Sequence, residues 1–182
     1  MRASEADILI IPGLGGSSED HWQSRWTANL STARSVSQSD WDRPQLEAWA
    51  SRITTEALMS ASPVVLVAHS LGVLAAVHAA PALKGKVIGG FLVSPPSEKI
   101  IREMAQIDPA FLPVPTEPLP FPSVVVASRD DPYVDFAEAE DMAASWGSVI
   151  SDAGNSGHIN IESGHGPWPE GLMRFAGFLK NL

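Results

Sequence analysis

The chain has 182 residues, 45% of them hydrophobic and 18% charged, which predicts one globular domain over residues 1–182 that can bury a sheet between helices. The formal net charge is -9, so long-range repulsion argues against nucleic acid and anionic membrane surfaces as partners. Because there is no cysteine, the sequence excludes disulfides, thiolate metal sites and thiol nucleophiles.

The N-terminal residues lack the features of a signal peptide. Only four consecutive apolar residues, 8–11, occur there, and acidic Glu5 and Asp7 precede them. No stretch approaches the roughly 20 apolar residues that a membrane-spanning helix needs. We therefore expect a soluble, cytoplasmic protein.

Short apolar runs alternate with segments of helical spacing along the whole chain. Taken in order, the predicted strands lie within residues 7–13, 34–39, 63–70, 86–96, 122–132 and 148–152. The predicted helices lie within residues 21–30, 44–60, 71–83, 97–107, 134–146 and 169–182. This alternation predicts an α/β fold, a three-layer αβα sandwich with about six mainly parallel strands. Ligands of such sheets bind at the carboxyl ends of the strands, so functional residues are expected there.

The first strand runs into a glycine-rich loop, residues 13–16. Glycines let a backbone turn its amides toward an anion, and in a hydrolase such a loop supplies one oxyanion donor, here the Leu14 N–H. A second interpretation is half of a dinucleotide-binding fingerprint, with Asp40 following the second strand. That match lacks its third glycine, where Ser18 stands, so we rank it below the hydrolase.

The third strand ends in Ala68-His69-Ser70-Leu71-Gly72. An acyl-transfer serine on a sharp strand-to-helix turn needs small residues two before and two after it, and alanine departs from the usual glycine at the first position. The turn also predicts the Leu71 N–H as the second oxyanion donor. The alternative is an ordinary serine helix cap.

A nucleophilic serine needs a histidine base, and the chain has five histidines. His69 is adjacent to the serine in the strand, so its side chain is expected on the opposite side, and His78 lies two turns down the helix. His21 precedes the serine and is expected to line the pocket. His158 and His165 follow the last strand, and we prefer His158 because it comes soon after the strand end.

The orienting acid is expected after another strand, and residues 130, 131 and 135 are all aspartates. Asp131 precedes a proline, which favours the extended conformation of a side chain projecting from a strand-end turn. For Asp130 and Asp135 we expect only structural roles, in a solvated turn and as a helix cap. The resulting order Ser70, Asp131, His158 is that of α/β-hydrolases.

Together these segments resemble the small α/β-hydrolases that include retinoblastoma-binding protein 9 and its bacterial relatives. The motifs that carry the resemblance are PGLGGSSEDHW, SDWDRPQLEAW, VAHSLG, SRDDPYV, GHIN and SGHGPWPEG, at residues 12–22, 39–49, 67–72, 128–134, 157–160 and 163–171. The resemblance implies a compact hydrolase fold without a large lid. It also implies that Ser70, Asp131 and His158 form the triad.

Aromatic residues are expected to help wall the site. Trp22, Trp41 and Trp168 fall in the motif-bearing loops, with His165 beside the last of them. The other three tryptophans, Trp26, Trp49 and Trp146, lie in predicted helices and are expected in the core.

The sequence thus predicts a serine hydrolase that cleaves a carboxylic ester or related acyl bond through an acyl-enzyme, with a small acyl substrate and no cofactor or metal. Some members of the family that this sequence resembles are known chiefly as binding proteins. The main alternative to an enzyme is therefore a protein-binding module with little turnover, whose partner is unspecified.

Overall fold

Six strands and six α-helices alternate along the chain in the computed structural model, which describes Met1 and residues 3–182. The strands are β1 (Asp7–Ile11), β2 (Ala33–Ser35), β3 (Val64–His69), β4 (Val87–Val93), β5 (Ser123–Ala127) and β6 (Val149–Asp152). The helices are α1 (Trp22–Asn29), α2 (Leu46–Met59), α3 (Leu71–Ala79), α4 (Glu98–Glu103), α5 (Phe136–Ser145) and α6 (Pro169–Lys180).

All six strands pair in parallel, in the order β2-β1-β3-β4-β5-β6. β2 lies on one side of β1, whereas β3 and all later strands lie on the other side. The winding direction therefore reverses between β1 and β3. In open parallel sheets, ligand sites lie at the carboxyl ends of the strands beside such a reversal. The predicted αβα sandwich is confirmed, and the site is expected where β1 and β3 end.

Alternate side chains of each strand enter two separate cores. Val64 and Leu66 of β3 pack on the face covered by α2 and α3, which we call the α3 face. Val65 and Val67 pack on the face covered by α1 and α6, which we call the α6 face. Two covered faces explain why the strands read as continuous apolar runs rather than as alternating patterns.

The predicted elements are present, and all but β6, which ends at Asp152 as predicted, end earlier than their sequence patterns. The strands stop before their small or turn-forming residues, because those residues leave the sheet to form the loops of the site. The third predicted helix ends its α-helical part at Ala79, and residues 80–83 form a 3-10 turn that contains Pro81. Proline lacks the N–H needed to continue an α-helix.

The connection from β4 to β5 holds only α4, a 3-10 turn at Pro109–Phe111 and extended proline-rich chain. Between these two strands the described residues form no large lid, as the sequence predicted. Among the described residues, every helix is too short or too polar to cross a lipid bilayer.

Candidate active site

Ser70 occupies a strained turn between β3 and α3. Its φ of 54° and ψ of -129° are unusual for a residue with a side chain, and its N–H donates to the Val93 carbonyl at 3.0 Å. Leaving the strand conformation also frees Ser70 from strand alternation. Ser70 and His69 consequently border the same cavity, and the expectation that His69 points to the opposite side is wrong.

Close packing of α3 on the end of β1 explains the small residues around the serine. A Cβ on Gly72 would lie 2.4 Å from the Pro12 carbonyl oxygen, and one on Gly13 would lie 2.8 Å from the Ser70 Cβ. Ala68 is fully buried, and its backbone pairs with β1 and β4. Glycine is therefore demanded after the serine, whereas alanine fits before it.

Ser70, His158 and Asp131 form one chain of hydrogen bonds. Both Asp131 carboxylate oxygens lie 3.0 Å from the His158 Nδ1, so that nitrogen carries the proton and donates it. The neutral ring then has its lone pair on Nε2, which accepts from the Ser70 hydroxyl at 2.8 Å. A base held in this tautomer beside a hydroxyl can deprotonate that hydroxyl as it attacks.

The turn after β5 fixes the carboxylate. The Asp131 side chain is fully buried, and one of its oxygens accepts the Tyr133 N–H at 3.0 Å. The Tyr133 ring packs edge-on to the His158 ring, with centroids 4.5 Å apart. With these contacts the carboxylate has little freedom to turn away from the imidazole.

Asp130, which directly precedes Asp131, connects two loops through hydrogen bonds. Its carboxylate accepts the Ser128 hydroxyl and the Gly157 N–H, both at 2.7 Å, and these hydrogen bonds lower the pKa of Asp130. Asp130 is exposed, as the sequence predicted for a solvated turn, but it also holds the loop that carries His158. A two-residue acidic run gave no sign of this second role.

The loop around His158 is held from the α6 face. Gly157 and Ile159 have φ values of 55° and 49°, so the backbone is left-handed on both sides of the histidine. The Trp22 indole N–H donates to the Ile159 carbonyl at 2.9 Å, and the His69 Nε2 donates to the His158 carbonyl at 2.8 Å.

Two neighbouring histidines are kept neutral. Burial, followed by the charges of His158 and His165, lowers the pKa of His21 to about 4. Burial likewise holds the pKa of His69 well below its ordinary value. The His21 Nδ1 accepts the Gln23 N–H at 3.2 Å and so caps α1. Both of these neighbours of His158 are therefore uncharged near neutral pH.

A cavity of about 360 Å³ opens over Ser70 and His158. Leu14 and Leu71 both line it. Leu71 is the first residue of α3, so its N–H has no partner within the helix, and a Cβ on Gly13 would lie 3.3 Å from that nitrogen. The loop after β1 therefore passes directly against the start of α3, and the role of the two leucine amides as oxyanion donors stays a prediction.

The aromatic wall was predicted less well. His21 lines the cavity, but in the part of the chain that the structure describes, none of the other four residues expected there does so. Trp22 and Trp168 are buried in the α6-face core and stack edge-on to each other, as expected of large apolar rings. Trp41 packs on Gly16 and borders a smaller depression. His165 hydrogen-bonds Ser163 at 3.1 Å, outside the cavity.

The three tryptophans expected in the core, Trp26, Trp49 and Trp146, are all buried. Sequence reasoning missed a different part of the wall, formed by Ile100, Ile101, Met104 and Ile107. Their helical spacing after the fourth strand was the available signal, since it places apolar side chains on one side of a short segment.

The loop after β1 does not have the geometry of a dinucleotide-binding turn. Residues 17–21 separate its last glycine from α1, so the glycines do not open a helix. The Asp40 carboxylate accepts the N–H groups of Asp42 and Arg43, both at 2.9 Å, within a turn beyond the end of β2. Neither half of the fingerprint therefore lies where a dinucleotide would need it.

Comparison with known proteins agrees with this geometry. A family model described as serine hydrolase matches residues 8–177. A YdeN-like hydrolase from Pectobacterium atrosepticum is 33% identical, with 97% of this chain and 91% of that chain covered and a TM-score of 0.85. A search of curated proteins gave no match.

More distant structures share the fold. The ydeN gene product of B. subtilis is 21% identical, with coverage of 96% of this chain and 99% of that chain and a TM-score of 0.76. Esterase 2 of Thermogutta terrifontis is 14% identical, with coverage of 100% and 85% and a TM-score of 0.71. The narrower resemblance to retinoblastoma-binding protein 9 stays a prediction from the sequence.

Proposed function

Because this chain belongs to the serine hydrolase family, we propose that it hydrolyses carboxylic esters, with Ser70 as nucleophile, His158 as general base and Asp131 as the group that orients the base. The observation that carries the proposal is the continuous hydrogen-bonded chain from the Ser70 hydroxyl through the His158 ring to the buried Asp131 carboxylate. That chain ends at the cavity, where a substrate carbonyl can approach the hydroxyl.

In the first half-reaction the Ser70 oxygen bonds to the ester carbonyl carbon while the His158 Nε2 takes the hydroxyl proton. The carbonyl oxygen becomes an oxyanion, and the Leu14 and Leu71 amides are the donors that we propose stabilise it. The imidazolium then gives its proton to the leaving alcohol oxygen as the ester bond breaks, and an acyl-serine is left.

In the second half-reaction water replaces the alcohol. His158 takes a proton from water, the hydroxide oxygen bonds to the acyl carbon, and the Ser70 oxygen leaves with the proton returned by His158. The products are a carboxylic acid and the original enzyme. Asp131 stabilises the imidazolium in both halves. Apart from the water that is consumed, each step uses only side chains and amides of this chain, so the proposed reaction requires no cofactor or metal.

Labelling with a fluorophosphonate probe tests the assignment. We expect Ser70→Ala to abolish labelling and ester hydrolysis, and His158→Ala to lower kcat by about 10⁴-fold or more, because the hydroxyl loses its base. His165→Ala is the matched control, since His165 lies outside the cavity, and it is expected to keep parental labelling.

Two outcomes would contradict the proposal. Undiminished labelling of Ser70→Ala would show that Ser70 is not the nucleophile. Loss of labelling in His165→Ala, with normal labelling of His158→Ala, would show that His165 rather than His158 is the base. The protein-binding alternative would instead predict no turnover of any ester by a correctly folded parent protein.

A further inference from the structure

The cavity lies between two walls of different chemistry. On the α3 face, Ile101, Ile107 and Leu71 belong to the core that also contains α2 and α3, and Met104 packs against that core. On the α6 face, Asn160, Ile161 and Glu162 continue the loop that carries His158, which is anchored through Ile159 to the other core. Ser70, at the end of a central strand, lies between these walls.

The proton transfer decides which wall receives which half of an ester. His158 must deliver a proton to the leaving oxygen, so the alcohol part has to lie beside His158 and its loop. The acyl part is attached to the other side of the carbonyl carbon. It must therefore extend away from His158, toward the α3 face.

The wall on the α3 face suits an apolar acyl chain. Ile100, Ile101, Met104 and Ile107 line it, with Leu14 and Leu71 nearer to the serine. Ile101 and Ile107 are only 4% and 5% exposed, so the core holds them in place and the wall is formed before substrate arrives. A preformed apolar wall binds methylenes without first having to order its own side chains.

The wall beside His158 suits a short polar alcohol. Asn160 and Glu162 give this wall its polar groups, beside Ile161 and the Tyr133 ring that packs on His158. Among the described residues that border the cavity, none is lysine or arginine. An exposed glutamate in a chain of net charge -9 disfavours an anionic leaving group on that wall. A phosphate-bearing leaving group would meet like charge and no cation.

Building on the esterase function proposed above, we propose that the substrates are uncharged esters of short to medium-length fatty acids with a small polar alcohol. Met104 and its neighbours on the α3 face determine the acyl length. Glu162, on the His158 side, disfavours anionic alcohols. The cavity volume of about 360 Å³ must hold both halves of the ester, which limits the acyl chain to a modest length.

The test compares acetate, butyrate, hexanoate, octanoate and laurate esters of one neutral leaving alcohol. For the parent protein, kcat/KM should rise by about four- to tenfold per added methylene until the wall is filled, and then fall. Met104→Phe fills the wall, so the ratio of octanoate to acetate hydrolysis should drop at least tenfold. Met173→Phe is the matched control, because Met173 is 76% exposed on α6, and it should leave the whole profile unchanged.

A second series keeps the best acyl group and varies the alcohol among neutral, cationic and anionic forms. The anionic ester should be hydrolysed slowest, and Glu162→Gln should raise its rate relative to the neutral ester by about threefold, as expected when one exposed like charge is removed. Glu140→Gln is the control, because Glu140 is exposed on α5 and lies outside the cavity, and it should leave that ratio unchanged.

The outcomes separate the two proposals. If no ester is hydrolysed and Ser70 is not labelled by the probe, the esterase function itself fails. If esters are hydrolysed but the rate is independent of acyl length, or Met104→Phe and Met173→Phe give the same profile, only the assignment of the walls is overturned. An anionic ester hydrolysed as fast as the neutral one would contradict the polar wall.

Discussion

At the scale of single residues, His69 shows how a side chain outside the proposed triad can fix one inside it. Its Nε2 donates to the His158 carbonyl at 2.8 Å, and its ring lies 4.9 Å from the His158 ring. Burial keeps His69 neutral, so its single ring proton is committed to this hydrogen bond. His69 is therefore a positioning residue for His158 in the proposed mechanism.

Replacing His69 by phenylalanine removes the donor but keeps an aromatic ring. We expect kcat to fall by about 10- to 100-fold with little change in KM, because a small displacement of the base impairs proton transfer more than binding. His69→Gln keeps an N–H donor and should recover part of the loss. Steady-state kinetics of both variants checks this, and equal kcat values for the two would show that the hydrogen bond is unimportant.

His21 makes stability depend on pH. Its pKa is about 4 in the folded protein, against 6.5 for an unperturbed histidine, so the unfolded chain binds the proton first as the pH falls. The stabilisation by the neutral ring is complete above the unfolded value and is lost as the pH falls through the interval between the two values.

His21→Asn should keep the α1 cap and remove this titration. Between about pH 7.5 and about pH 4.5, the free energy of unfolding of the parent should fall by about 2–3 kcal/mol more than that of the variant. Urea unfolding at the two pH values measures the difference. Parallel losses in the two proteins would mean that His21 is not held neutral.

At the scale of elements, the turn between β3 and α3 depends on a close approach of two backbones. A Cβ on Gly72 would meet the Pro12 and Ile11 carbonyl oxygens at 2.4 and 2.6 Å, and neither backbone atom can move aside cheaply. The position of α3, and with it that of the Leu71 N–H, thus requires a glycine at residue 72.

Gly72→Ala should destabilise the protein by about 3 kcal/mol and lower ester hydrolysis, since α3 must shift away from β1. Gly177→Ala is the matched control, because Gly177 lies in α6 with open space where the Cβ would go. It should stabilise the protein by about 0.5–1 kcal/mol through helix propensity. Urea unfolding of both variants tests the contrast, and similar stabilities would contradict the close-packing argument.

At the scale of the whole molecule, the net charge of -9 acts on any charged substrate before contact. For the parent protein we expect kcat/KM for an anionic ester to rise at least about twofold between about 0.02 and 0.2 M salt, because the salt screens repulsion. A neutral ester of the same acid should show no comparable change. Equal salt dependence of the two esters would rule out long-range repulsion as the cause.

The architecture of the molecule could be predicted largely from local patterns. Strands such as residues 64–69 are buried on both faces of the sheet, so nearly all of their residues are apolar and the run is visible in the sequence. The predicted ends of the elements were less accurate. Turn residues such as Ser128 follow the apolar run directly but have already left the strand, and the sequence does not mark where the strand stops. The walls of the cavity were least predictable, because burial of Trp22 and Trp168 depends on contacts between distant segments.

The sequence by itself determined the order of elements, the parallel sheet and a short set of chemically suitable side chains, because periodicity, small residues and turn residues act over a few neighbouring positions. Only the tertiary structure decided that Ser70, Asp131 and His158 meet within hydrogen-bonding distance, that His165 does not, and that His69 turns toward His158. These facts depend on loops that follow three strands, β3, β5 and β6, and that converge at one edge of the sheet. Distances across that edge leave no local pattern in the sequence.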